Sequence, residues 1–507
     1  MNDKVNQDDI NKALWGSCDI FRGTISPDTY KEFILPMLFL KYISDVWQDH
    51  YDEYQRQYGD EPELIEEMLK NERFVLPRDA SFYALHARRH EANNGERIDQ
   101  ALHAIEEANG TKLKDSGKSV FQDITFNTDR LGEEKQKNTI LRHLLEEFAK
   151  DELNLKPSRV GSLDVIGNAY EYLIKNFAAS GGQKAGEFYT PPEVSELIAE
   201  LLDPQPGDTI CDPACGSASL LMKCGRKVRE HHGSKHYALY GQEAIGSTWS
   251  MAKMNMFLHG EDNHRIEWGD TLGNPKLLDN FGQLIKFDIV TSNPPFSLDK
   301  WGHESAENDF FGRFNRGIPP KTKGDYAFIL HMITTMKPKT GRMAVVVPNG
   351  VLFRGGSEGK IRQKLIEENL LDAVIGLPDK LFYGTGIPAA ILIFSNGKTE
   401  KNVLFIDSSR NFNSGKNQNI LGEEHINSIL TTYRHRINSD RYSYRATIEE
   451  IRENEFNLNI SRYVDTFEIE REIDLVAVHT EREALKLKLS ELEVKMTAYL
   501  KELNYVD

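Results

Sequence analysis

No stretch of this sequence approaches the roughly 18 to 20 consecutive apolar residues that a membrane span needs. The opening residues, MNDKVNQDDINK, lack the basic and apolar regions of a secretory signal. Cysteine is scarce, with four in 507 residues. That is too few for a disulfide framework and fits a reducing compartment, so the cytoplasm is the expected location. Cys211, Cys215 and Cys224, followed by His231, match no usual zinc spacing, and no metal is expected; the cysteines read as small packing residues. Positive charge is also short. Against 78 acidic side chains stand 62 basic ones, a net charge of -16, which opposes non-specific attraction to nucleic acid. A chain of this charge that acted on DNA would need another component to help hold the duplex. Long internal repeats and low-complexity tracts are missing too.

What is present is enough apolar material for a packed core, 39% hydrophobic residues beside 28% charged ones. The length suggests about two to four domains. Residues 1–155 read as a helical domain, because "TYKEFILPMLFLKYISDVWQDHYDEY" and "NTILRHLLEEFAK" place apolar residues three and four apart. The polar stretch Ala87 to Lys118 is expected to interrupt these helices with loops. Residues 156–465 change pattern. Short apolar runs ("DTICDPA", "HYALYGQEA", "FDIVTSNPP", "GRMAVVVPN", "LDAVIGLPD", "AAILIFSNG") alternate with helical stretches. The alternation predicts an α/β fold with a doubly wound, mostly parallel sheet whose ligands lie beyond the carboxyl ends of its strands. Residues 466–507 predict one helix with a seam at Leu475, Val478, Arg482, Leu485, Leu489, Leu492, Met496, Tyr499 and Leu503. The seam suits packing on its own domain or on a partner.

Three sites along the α/β region carry candidate chemistry. In "TICDPACGSASLL", Asp212 ends a strand, Pro213 turns the chain, and Gly216, Ser217 and Ala218 let backbone approach a ligand. The stretch does not follow G-x-G-x-x-G, which disfavours a nicotinamide cofactor. Glu243 ends the next strand, where a carboxylate accepts both hydroxyl hydrogens of a ribose; Asp270 in "IEWGDTL" could accept from an adenine amino group. Taken singly, both are ordinary loop or turn residues. The sharpest signal is Asn293, Pro294, Pro295 and Phe296 directly after "DIVTS". Each proline fixes its own φ and restricts its neighbour, so the segment is stiff. An exocyclic amino group on adenine is a poor nucleophile, because its lone pair is conjugated with the ring. The Asn293 side-chain oxygen and the Pro294 carbonyl could take its two hydrogens and localise that lone pair, with Phe296 stacking on a base that has left the duplex.

In this order, "GEFYTPPEV", "DPACGSASLL", Glu243, "GDTL" and "TSNPPF" resemble the N6-adenine DNA methyltransferases. The blocks "FRGTISPDTYKEFILPMLFLKYISD" and "LPDKLFYGTGIPAAILIF" narrow the resemblance to the modification subunits of type I restriction-modification systems, from about Ile10 to Val464. It implies a Rossmann-like fold and S-adenosyl-L-methionine as cofactor. Glu187, Phe188, Tyr189, Thr190, Pro191 and Pro192 would wrap its methionine end, and Asp212, Pro213, Ala214, Cys215, Gly216 and Ser217 would form the loop beneath. Glu243 would hold the ribose and Asp270 would lie near the cofactor adenine. Ala218 departs from the pattern, since many members of the family carry a second glycine there.

The same resemblance implies double-stranded DNA with a flipped adenine, a specificity subunit that reads the sequence, a restriction subunit, and two copies of this chain per specificity subunit. After Val464 only 43 residues remain, too few for a target-recognition domain, so the carboxyl-terminal helix is expected to dock on the specificity subunit. No Pro-Cys dipeptide of the kind used by 5-methylcytosine enzymes occurs. From Arg313 to Lys364, six lysines and five arginines stand against only Asp325 and Glu358, and this run is the expected DNA face. Two competing readings are a protein glutamine-amide methyltransferase, which usually carries tyrosine where this chain has Phe296, and a silent assembly scaffold.

Overall fold

The structure is a computed structural model and describes residues 6–59, 61–115, 117–161, 163–180, 189–416, 418–465, 475–503 and 505. The chain divides into two compact units, Met1–Val464 and Asp465–Asp507. Numbering only the longer helices, the amino-terminal part of the first unit contains α1 (Gln7–Ser17), α2 (Lys31–Tyr58), α3 (Asn94–Ala108) and α4 (Glu134–Phe148). Helix α3 runs through the polar stretch expected to be loop. Its Ile98, Ala101, Leu102 and Ile105 recur at three and four spacing and are buried, so four apolar residues on one face outweigh the polar residues around them.

The helices α5 (Leu163–Ser180) and α6 (Pro192–Leu202) lead into a nine-stranded sheet. Its strands are β1 (Thr209–Asp212), β2 (Ala238–Glu243), β3 (His264–Trp268), β4 (Ile289–Ser292), β5 (Arg342–Pro348), β6 (Leu371–Gly376), β7 (Ala389–Ser395), β8 (Asn402–Asp407) and β9 (Ser443–Thr447). They lie in the order β3-β2-β1-β4-β5-β7-β6-β8-β9. All neighbours are parallel except where β7 slots between β5 and β6 and where β9 closes the edge. The connections run through α7 (Ser219–His232), α8 (Gly246–Leu258), α9 (Asp325–Thr335), α10 (Gly356–Glu367) and α11 (Glu423–His435).

Successive residues of a strand point to opposite faces, and the two cores follow that alternation. Ile289, Ala344, Val346, Ile391 and Ile393 join one hydrophobic core, which continues without a break into the amino-terminal helices. Val290, Met343, Val345, Val347 and Leu392 join the other. Because β1 sits between β2 and β4, the chain winds away from it in both directions. This switch point opens a crevice outside the carboxyl ends of β1 and β4, where such sheets bind ligands.

In the second unit, α12 (Leu475–Glu502) is a single helix. Its Val478, Leu485, Leu489, Leu492, Met496 and Tyr499 are exposed. No helix among the described residues is long and apolar enough to cross a membrane.

Candidate active site

The crevice at the switch point gathers three of the sequence signals. Asp212 ends β1 and is buried, accepting at Oδ1 from the Ala214 amide (3.0 Å) and from Ser292 Oγ at the end of β4 (2.8 Å). Burial pushes its carboxyl up to about 7, and the nearby Glu243 adds to the shift; the two donors hold it back. The loop that follows is fixed by its own backbone. Cys215 donates to the Gln242 carbonyl (3.1 Å), Thr271 Oγ1 donates to the Pro213 carbonyl (2.5 Å), and Asn255 Nδ2 reaches the Ser217 carbonyl (2.9 Å). Gly216 has φ +54°. Ala218, where the family pattern has glycine, is fully buried with φ +64°, a left-handed conformation that costs an alanine about 1 to 2 kcal/mol. The methyl group is accommodated by strain, and the loop keeps the sharp turn into α7.

Glu243 ends β2. Its carboxylate accepts from the Gly216 amide (3.0 Å) and the Ile245 amide (2.9 Å), so one side chain ties the β1 loop to the β2 loop. Burial raises its carboxyl, against the pull of these amides. Asp270, just beyond β3, is exposed, and its Oδ1 accepts from the Leu272 amide (3.0 Å), the turn role its sequence position suggested. The same turn lies against Glu243, since the Gly269 amide donates to the Glu243 carbonyl (2.9 Å).

Asn293 leaves β4 beside Asp212. Its Nδ2 donates to Thr190 Oγ1 (3.3 Å), which brings "YTPP" and "NPPF" together; its Oδ1 is buried and has no partner among the described residues. Pro294 is buried, and Pro295 and Phe296 are half-buried. The Phe296 ring meets Phe382 edge to face at 5.9 Å, and Tyr189 meets Tyr383 at 6.0 Å. Thr190 and Pro191 are buried, with Pro192 opening α6. Glu187 and Phe188 lie outside the described residues.

The turn after Phe296 is strained and pinned. Ser297 has φ +54°, and its amide donates to Asp325 Oδ1 (2.8 Å) at the start of α9. Asp325 is held in turn by Arg354, which also binds Glu358 (both 2.5 Å). Sequence reasoning missed Thr190 as the group that orients the Asn293 amide, and missed Ser292, Asp325 and the exposed Ile245 beside Glu243. Phe382 and Tyr383 were visible only as part of "LPDKLFYGTG", with nothing to say that they would meet Phe296 and Tyr189.

The basic run Arg313–Lys364 does not form one face, contrary to the expectation. Arg313 is buried on Asp309 and on the Thr271 and Leu272 carbonyls, Arg316 pairs with Glu368, and Arg342 with Asp208. Arg362 is spent on the carbonyls of Phe456, Val351 and Arg354. Lys337 and Lys339 precede β5 and Arg342 opens it, at the amino edge of the sheet, opposite the crevice. Counting charge along the chain cannot see that buried arginines bond to carbonyls or that a strand separates its two ends.

Residues 161–472 match the N-6 DNA Methylase family and residues 10–148 the HsdM N-terminal domain. The chain is 32% identical to the type I restriction enzyme MjaVIII methylase subunit of Methanocaldococcus jannaschii, over 99% of this chain and 86% of that protein. It is 28% identical to the MpnII methylase subunit of Mycoplasma pneumoniae, over 97% of this chain and 96% of that one. The crystal structure of a type I restriction-modification system methyltransferase subunit from Streptococcus thermophilus superposes with TM-score 0.81 at 36% identity, covering 91% of this chain and all of that one. A modification subunit of a type I restriction enzyme from Vibrio vulnificus, 19% identical with TM-score 0.61, shares the fold. The chain belongs to the N-6 DNA methylase family and, within it, to the type I restriction enzyme methylase subunits.

Proposed function

We propose that this chain transfers a methyl group from S-adenosyl-L-methionine to the exocyclic amino group of an adenine flipped out of double-stranded DNA. It does so as the modification subunit of a type I complex in the cytoplasm, two copies to each specificity subunit, with the restriction subunit joining the larger assembly. The observation that carries the reading is the Asn293 Oδ1 atom, a buried acceptor at the end of β4 without a partner among the described residues. A buried polar atom left unpaired costs about 1 to 3 kcal/mol, so a ligand donor is the natural occupant.

Asn293 Oδ1 and the Pro294 carbonyl accept the two amino hydrogens, and Thr190 holds the amide so that its oxygen faces the base. The adenine ring lies against Phe296, and the paired prolines keep the two acceptors fixed while the lone pair localises. When bound, the cofactor would supply an electrophilic methyl on a sulfonium, the C–S bond breaking as the N–C bond forms, with the neutral thioether leaving and one amino hydrogen released as a proton, so no covalent enzyme intermediate is required. Glu243 accepts the ribose hydroxyls, with lone pairs to spare beyond its two amide bonds, and Asp270 and the exposed Ile245 flank the cofactor adenine. Asp212, Pro213, Ala214, Cys215, Gly216 and Ser217 form the floor, and Glu187, Phe188, Tyr189, Thr190, Pro191 and Pro192 the wall at the methionine end.

The working division is 1–155 for the helical domain, 156–465 for catalysis and 466–507 for docking on the specificity subunit through the exposed side chains of α12. Transfer of labelled methyl to duplex DNA, by the chain alone and co-purified with its specificity subunit, tests the reading. Transfer only in the second case is expected. Robust transfer by the chain alone would remove the need for a separate reader, and no transfer in either would overturn the activity. Removing residues from Thr466 onward should abolish the complex in a pull-down and leave cofactor binding intact.

A further inference from the structure

We infer that the amino-terminal helical region holds the adenosine end of the cofactor site in shape, through Lys118 and Asp123 acting on the turn from Glu243 to Gly246. The inference rests on the reading of Glu243 as the ribose acceptor and names two positioning residues outside the segment that matches the methylase family.

The turn joins β2 to α8. It is short, it carries the carboxylate, and it leaves Ile245 58% exposed. A large buttress of the turn is Trp268, the last residue of β3. The Trp268 indole Nε1 donates to the Ala244 carbonyl (3.1 Å), and its ring stacks on Trp249 of α8 at 6.0 Å and 24°. Any shift of Trp268 therefore moves the backbone between Glu243 and Gly246.

Lys118 holds that indole. Its ammonium stands 4.0 Å from the Trp268 ring centroid and donates to the Trp268 carbonyl (3.3 Å), across 150 positions of sequence. The distance is well inside the range of a cation–π contact. Asp123 stands beside Gly246. A Cβ placed on Gly246 would come within 2.5 Å of Asp123 Oδ2 and 2.8 Å of Trp268 Cζ2, so the helical region packs directly on the first residue of α8. A carboxylate there also complements the positive end of that helix. Two contacts of different chemistry, five positions apart in sequence, thus bear on the same four-residue turn, Asp123 beside Gly246 and Lys118 through Trp268.

The test uses the full chain with Lys118→Ala, Lys118→Arg and Asp123→Ala. Hydrogen exchange over Gln242–Ser247, without cofactor, reads the turn itself; calorimetric titration with S-adenosylmethionine reads its consequence. Lys118→Ala should speed exchange in that segment and weaken the cofactor, each by about fivefold. Lys118→Arg should restore both, since a guanidinium keeps the charge over the ring, and melting temperature should hardly move. Exchange at the wild-type rate in Lys118→Ala and Asp123→Ala would overturn the inference. So would acceleration spread over the whole sheet, which would mean general destabilisation. Glu243→Gln separates the two readings: if it binds cofactor as wild type does, the role of Glu243 fails, while the exchange result still judges the brace.

Discussion

At the carboxyl ends of β1, β2 and β4, the buried carboxylates Asp212 and Glu243 accept from amides and a hydroxyl, and Asn293 Oδ1 has no partner among the described residues. In the stretch Arg313–Lys364, by contrast, all five arginines are committed, to Asp309, Glu368, Asp208, Asp325 with Glu358, and three backbone carbonyls. The first region keeps polar capacity in reserve at a cost in stability; the second uses its charge to hold loops and helices in place. An excess of one charge in sequence therefore says less about a binding surface than an unpaired polar atom does in structure. The committed charges should govern folding, and the reserved atoms should govern turnover.

The largest break of this contrast is Arg354→Ala. Asp325 and Glu358 are each 2% exposed and share this one guanidinium, so its loss leaves two buried carboxylates without their cation. Urea unfolding should show about 3 to 5 kcal/mol of destabilisation. A loss below about 1 kcal/mol would mean that the run is not the structural element described here. Asn293→Ala should do the reverse. It removes an unsatisfied buried oxygen, so the melting temperature should stay or rise, whereas the rate of methyl transfer at saturation should fall about 100- to 1,000-fold.

Asp212→Asn sharpens the comparison through pH. The Asp212 carboxyl is raised to about 7 in the fold, from 3.8 when unfolded. Between those values the unfolded chain binds fewer protons than the native one, so wild-type stability should fall as pH rises from about 4 to about 7. The amide cannot ionise, so the variant should lose that part of the slope. Unfolding at pH 5 and pH 8 should show it gaining on the wild type by on the order of a kcal/mol or more at the higher pH. Parallel pH profiles would show that the burial of Asp212 is compensated by other groups.

Much of the fold was legible in the sequence, because alternating apolar runs and helices leave few arrangements other than a doubly wound sheet. The order of motifs was legible too, since Asp212, Glu243 and Asn293 each close a strand. What stayed hidden depends on partners distant in sequence. That Thr190 turns the Asn293 amide, that Ser292 touches Asp212 and that Trp268 carries the Ala244 carbonyl follow from sheet order. Helix α3 was hidden by its own polar composition, although the spacing of Ile98, Leu102 and Ile105 was on view. The antiparallel β7 inside a parallel sheet has no local signature, for its run "AAILIFS" is as apolar as that of any buried strand.

The smallest expected effect concerns what remains of the basic run as a DNA surface. Lys321 and Lys323 sit on the connection from β4 to α9, the same connection that carries Asn293 and the strained turn after it. That connection is drawn together by the bond from the Gly324 amide to the Leu298 carbonyl (2.9 Å) and from Trp301 Nε1 to the Pro320 carbonyl (2.8 Å). Lys321 is paired with exposed Glu304, and solvent screens such a surface pair so strongly that phosphate can displace it. Lys339 and Lys364 are exposed, as Lys321 is, but stand toward the amino edge of the sheet. Replacing Lys321 and Lys323 by alanine removes four lysines from a complex with two copies of this chain and should make the fall of log K with log salt shallower by about 4, whereas replacing Lys339 and Lys364 should leave it unchanged. Equal slopes for the two pairs would mean that this edge of the sheet does not meet the duplex through these lysines, and that the positive charge needed to hold DNA comes from the partner.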